Sequence, residues 1–133
     1  MTEIICIGRD GQSRNYTYTI TKNLQEDQWC YRFRSAPPPA SGEAFEITVS
    51  LISDSEVRVI AMYNNGEGEY VAKGIPDVGI PLIASELEKT VCSSPNLCTD
   101  GVFRTLQATK VWQRLVDKGQ AIYSETEDVF RTT

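Results

Sequence analysis

Lys73-Gly74-Ile75-Pro76-Asp77-Val78-Gly79-Ile80-Pro81-Leu82-Ile83 is the stretch at which this 133-residue chain changes its hydrophobic period. Before it, apolar residues alternate with polar ones, as they do on a half-buried strand. From about Gly79 onward, Ile80, Leu82, Ile83 and Leu87 recur at helical spacing, with Glu86, Glu88 and Lys89 on the polar side. A switch from period two to period 3.6 predicts an α+β chain.

Reading backward from the switch gives strands. Glu69–Lys73 is short, and Val57, Val59, Ala61 and Tyr63 alternate before it. The polar turn Ser53-Asp54-Ser55-Glu56 joins them to Phe45, Ile47, Val49 and Leu51. Pro37-Pro38-Pro39 stops the preceding run, because proline donates no ladder hydrogen bond. In that run, Gln28–Ser35, Trp29, Tyr31 and Phe33 point inward, while Cys30, Arg32 and Arg34 point outward. Arg14–Lys22 places Tyr16, Tyr18 and Ile20 on one face, and Asp10-Gly11 turns the chain back to Ile4–Ile7. Short turns between such runs predict an antiparallel meander over residues 1–73.

Reading forward, Thr90–Ser93 is a short strand, and Ala108, Val111, Trp112 and Leu115 stand at i, i+3, i+4 and i+7 of a helix. Lys118 and Gly119 supply its C-terminal punctuation. Gln120–Tyr123 and Asp128–Thr132 make a closing hairpin, so residues 74–133 read helix, strand, helix, hairpin. The expectation is one domain: a twisted, mostly antiparallel sheet of about five to seven strands with two main helices. Val91-Cys92-Ser93 is expected to return parallel beside Glu69–Lys73.

Composition narrows the chemistry. The chain has no histidine, which excludes Ser-His-Asp and Cys-His catalysis and histidine-bearing zinc sites. Proton transfer would fall to Asp, Glu, Tyr, Lys, Cys or water. Thirteen basic against eighteen acidic residues give a formal charge of −5, which disfavours a general affinity for nucleic acid or anionic membrane. No apolar run approaches the ~20 residues that cross a bilayer. With no leader-like pattern at Met1-Thr2-Glu3-Ile4, a cytoplasmic location is expected, with Cys6, Cys30, Cys92 and Cys98 as free thiols. A Cys92–Cys98 bridge is the alternative. No metal site is expected, since Glu67, Glu69 and Glu88 lack calcium-loop spacing and the cysteines form no C-x-x-C pair.

The order of elements from Phe45 onward resembles the C-terminal half of the GCN5-related N-acetyltransferase superfamily. Two stretches carry the resemblance: Lys73 to Ile83, and Val91-Cys92-Ser93-Ser94 with Ala108 to Gly119 and Ala121-Ile122-Tyr123. The resemblance implies an acetyl-CoA loop whose backbone N–H groups, with a helix N-terminus, would hold a pyrophosphate. Gly74, Gly79 and Ile80 are the positions it implies for cofactor binding, backbone groups of Met62 to Val71 for the pantetheine arm, and Tyr123 for a catalytic acid. The overlay also puts Pro76 and Pro81 where the family has (Gln/Arg) and (Gly/Ala), and proline has no N–H to give. The loop therefore reads as degenerate. The expected function is a scaffold of this type without acetyltransferase activity, with no cofactor, binding a small ligand or a protein partner, homo-oligomers included. An N-acyltransferase using acetyl-CoA or another CoA thioester is the alternative.

A winged-helix DNA reader is the rival from another class, with Leu82–Thr90 and Leu106–Lys118 as the helix pair and Gln120–Thr132 as the wing. Glu125, Glu127 and Asp128 on that wing would repel phosphate. Arg32 and Arg34 share one strand face, either as solvated side chains or as a clamp for a carboxylate or phosphate.

Overall fold

The computed structural model describes residues 2–23, 25–35, 44–64, 73–95 and 106–133. Five strands come first: β1 (Thr2–Ile7), β2 (Ser13–Asn23), β3 (Gln28–Ser35), β4 (Phe45–Ser53) and β5 (Glu56–Asn64). Helix α1 (Ile75–Leu87), strand β6 (Thr90–Cys92), helix α2 (Leu106–Asp117) and the hairpin β7 (Ala121–Ser124) and β8 (Val129–Thr132) follow. All eight strands form one sheet in the order β1-β2-β3-β4-β5-β6-β8-β7. Every neighbouring pair is antiparallel except β5 with β6. The α+β class is therefore as expected, with eight strands where five to seven were anticipated.

One expected pairing is corrected. The parallel partner of β6 is β5, in the register Glu56↔Thr90, Val57↔Val91 and Arg58↔Cys92. Residues 69–72 lie outside the described set, and Lys73 sits in a bend just before α1. Helix α1 also begins at Ile75, four residues before the expected start. Its first turn carries Pro76, whose fixed φ suits that turn and whose missing N–H is no loss there.

Alternation sorts the sheet into two faces. Tyr16, Tyr18, Tyr31, Phe33, Ile47, Val49, Val57, Val91 and Phe130 share one core cluster with Ile75, Ile80 and Ile83 of α1 and Val111, Trp112 and Leu115 of α2. Both helices therefore cover the same face. Each fully buried apolar side chain there contributes on the order of 1.5–3 kcal/mol relative to exposure. Trp112 stacks on Phe130 with ring centroids 5.9 Å apart, which fixes α2 over the closing hairpin. The opposite face carries Thr17, Thr19, Arg32, Arg34, Glu46 and Arg58, an ordinary polar exterior for an antiparallel sheet.

The hairpin β7–β8 continues the main sheet through β8, where Cys92 pairs with Arg131, and strand β6 separates the two helices in the chain. That arrangement is not a helix pair with a free-standing wing. Among the described residues no helix is long and apolar enough to cross a membrane.

Candidate functional site

In a parallel strand–helix–strand unit, ligands gather where the carboxyl ends of the strands meet the start of the helix. Here that place lies between the ends of β5 and β6 and the first turn of α1. β5 and β6 pair over three residues only, and β5 runs on to Asn64 after β6 stops at Cys92. Two buried serines tie the region where the strands part. Ser94 Oγ donates to the Val59 carbonyl at 2.8 Å, and Ser93 Oγ accepts the Phe130 N–H at 3.0 Å. A main-chain acceptor of β5 at this point is thereby engaged by the protein itself.

The start of α1 is set by Gly74, which caps it at φ 80°. A Cβ built on Gly74 would stand 2.2 Å from the Ile7 carbonyl oxygen, so only glycine lets the chain pass β1 there. Three residues on, Asp77 occupies the first turn with its side chain only 10% exposed. Arg114 grips it with two hydrogen bonds, Nε to Oδ2 at 2.7 Å and Nη2 to Oδ1 at 2.8 Å. Lys118 Nζ, one helical turn further along, stands 3.9 Å from Oδ2. The electropositive helix N-terminus thus carries a carboxylate in its own first turn. The hydrogen bonds it donates to Asp77 raise the Arg114 guanidinium above its ordinary pKa.

Beneath this end lies Cys6, fully buried, with its thiol pushed up to about 11 by burial first and the Asp77 charge second. It stays protonated near neutrality and is no nucleophile there. Cys6, Cys30 and Cys92 are free thiols, while Cys98 lies outside the described residues. The Cys92 thiol is likewise pushed up to about 12, chiefly by burial. Among the described residues no group of three or more metal-ligating side chains comes together.

The candidate residues separate in space. Gly74 stands at the helix start. Gly79 lies inside α1, where its Cβ position would meet Phe33 and Ile47 at 3.1 Å, so the glycine lets helix and sheet approach. Ile80 is fully buried in the same interface. Tyr123 sits on edge strand β7, 42% exposed, and its hydroxyl donates to Asp128 Oδ1 at 2.7 Å within the hairpin. Of Met62 to Val71, the described part ends at Asn64. Pro81 lies within α1 and removes the donor that would meet the Asp77 carbonyl.

Pattern reading did not bring Asp77 and Arg114 together, because they are 37 positions apart. The available signal was an acidic residue in one helix's first turn with Arg114 and Lys118 spaced i, i+4 on the other. A second unread contact is Tyr18 Oη donating to Glu86 Oε1 at 2.5 Å, with the Tyr31 hydroxyl beside the same carboxylate. This contact pins the far half of α1 to β2 and β3. Burial, then Glu86, raises the Tyr31 pKa.

No family model matches this chain, and no curated protein matches it. Among solved structures the chain is similar to a variant of the cAMP-binding acyltransferase from Mycobacterium smegmatis, with a TM-score of 0.55 and 13% identity. The match covers 98% of this chain and 47% of that one, so the chain spans about half the length of that protein. At this identity the likeness is one of fold alone. It extends over nearly the whole chain, beyond the C-terminal half in which the sequence resemblance lies.

Proposed function

We propose that this chain uses a GNAT-like scaffold to bind a ligand or partner and does not transfer acetyl groups. The observation that carries the reading is Asp77, a nearly buried carboxylate clamped by Arg114 at the first turn of α1. A diphosphate approaching this end would compete with Asp77 for Arg114 and Lys118, which the carboxylate already engages. Pro76 removes one of the N–H groups left free in the first turn, and Ser94 engages the Val59 carbonyl. These residues do not fit a CoA pyrophosphate.

The second reading, an acyl-CoA-dependent N-acyltransferase, draws on the parting of β5 and β6 and on the acyltransferase neighbour. Tyr123 would be its proton donor. Calorimetry with acetyl-CoA separates the two. The binding reading expects no heat of association at millimolar ligand and no thiol release in an acetyl-transfer assay. Micromolar binding would overturn it. A parallel titration with cAMP asks whether the neighbour's named ligand has a counterpart here.

A further inference from the structure

We propose that the sheet face opposite the helices binds the phosphate group of a small soluble ester, at Arg34 and Arg32 of β3. Alternation along β3 buries Tyr31 and Phe33 in the core under α1 and turns the two arginines to the other face. Two residues apart on one strand, they stand roughly 6.6 Å from each other at the usual rise. Like charges so placed repel unless an anion stands beside them.

The two arginines are not equally provided for. Arg32 has a cross-strand partner in Glu46, with Nε 3.3 Å from Oε1. Arg34 has no acid opposite it: its neighbour on β2 is Thr17. The Arg34 Nε is sealed from solvent and meets no acceptor among the described residues, while the residue as a whole stays partly exposed. A sealed donor of this kind is uncommon in folded proteins and marks a place for an acceptor from outside the chain. Glu3 shares the row of Thr17 and Arg34 but lies two strands away, roughly 10 Å at the usual strand spacing. Thr17 and Thr19, opposite Arg34 and Arg32 in the register, add two hydroxyls that hold no other described side chain.

These groups set the ligand's chemistry. Two guanidinium groups and two hydroxyls offer more donors than one carboxylate can accept, whereas a tetrahedral phosphate meets them with several oxygens. Arg32 and Glu46 cancel in charge, which leaves Arg34 as the excess cation of the patch. The chain as a whole carries −5, which repels nucleic acid and anionic membrane and leaves a small ester as the matching partner.

The patch lies across the sheet from α1, so its test is independent of what binds near Asp77. Backbone amide NMR titration at fixed pH and ionic strength compares glycerol 3-phosphate, glycerate and glycerol. The expected result is saturable shifts from glycerol 3-phosphate at Thr17, Thr19, Arg32 and Arg34, weaker ones from glycerate and none from glycerol. Arg34→Gln should weaken binding by about tenfold, and Arg58→Gln, on the same face, should leave it unchanged. The spectrum of each variant reports its folding in the same experiment. Shifts that do not saturate, equal binding of glycerate or glycerol, an unchanged affinity in Arg34→Gln, or an equal loss in Arg58→Gln would overturn the proposal.

Discussion

The two ends of α1 solve the same problem in opposite ways. At the start, Asp77 stands in the first turn, at the positive end of the dipole, and is held by Arg114 and Lys118. At the foot, the helix stops at Glu88 in a left-handed conformation, φ 53°, and opens onto a cleft in which the Ser55, Ser85 and Thr90 hydroxyls hold no other described side chain. One end is electrostatically closed by the chain and the other is left for solvent or a guest. The proposed binding role rests on this contrast between the two ends.

The largest effect that could break the contrast is at Gly74. Gly74→Ala adds a Cβ 2.2 Å from the Ile7 carbonyl at a left-handed φ, and should lower unfolding free energy by about 3 kcal/mol or more. Gly119 has a similar φ of 75° with open space around it, so Gly119→Ala should cost about 1 kcal/mol. Urea unfolding of the two variants side by side measures the difference, and similar losses would mean that the start of α1 is not tightly seated against β1.

A middle-sized effect is expected from the clamp. Asp77→Ala and Arg114→Ala should each destabilise the protein, with a coupling of about 1 kcal/mol in a double-mutant cycle. Half-exposure of Arg114 keeps this below the value for a fully buried pair. Additive losses would show that the two helices are joined by packing alone, and the electrostatic closure would fall.

The smallest effect is at the foot. Glu88→Gly relieves the positive φ of a non-glycine residue and should raise the melting temperature slightly, by a gain of about 0.5–1 kcal/mol. Ser85→Ala and Thr90→Val should stay within about 0.5 kcal/mol of the parent, since neither hydroxyl holds another described side chain. A large loss in either would reveal a structural role for the cleft wall.

Local pattern carried much of this fold. The alternation of Tyr16, Tyr18, Tyr31, Phe33, Ile47, Val49, Val57 and Val59 foretold which face is buried, since side chains on a strand alternate whatever the strand pairs with. Val111, Trp112 and Leu115 foretold the buried stripe of α2 for the same reason. Which strand lies beside β6 was a different kind of question. The expected neighbour was Glu69–Lys73, whereas β6 pairs with β5, a partnership that no alternation of apolar residues specifies. The resemblance implied a cofactor-binding position for Gly79, which lies inside α1 against the sheet. Its nearest atoms, on Phe33 and Ile47, come from strands far away in the chain.

Residue order thus settled the periods, the faces, the turns and the chemistry that a chain without histidine cannot perform, because each depends on neighbours within a few positions. Partnerships came only with folding: β6 beside β5, Arg114 on Asp77, Tyr18 on Glu86, and a cleft walled by four separate stretches of chain. Such contacts depend on distances in space between groups dozens of positions apart, and no local pattern encodes them.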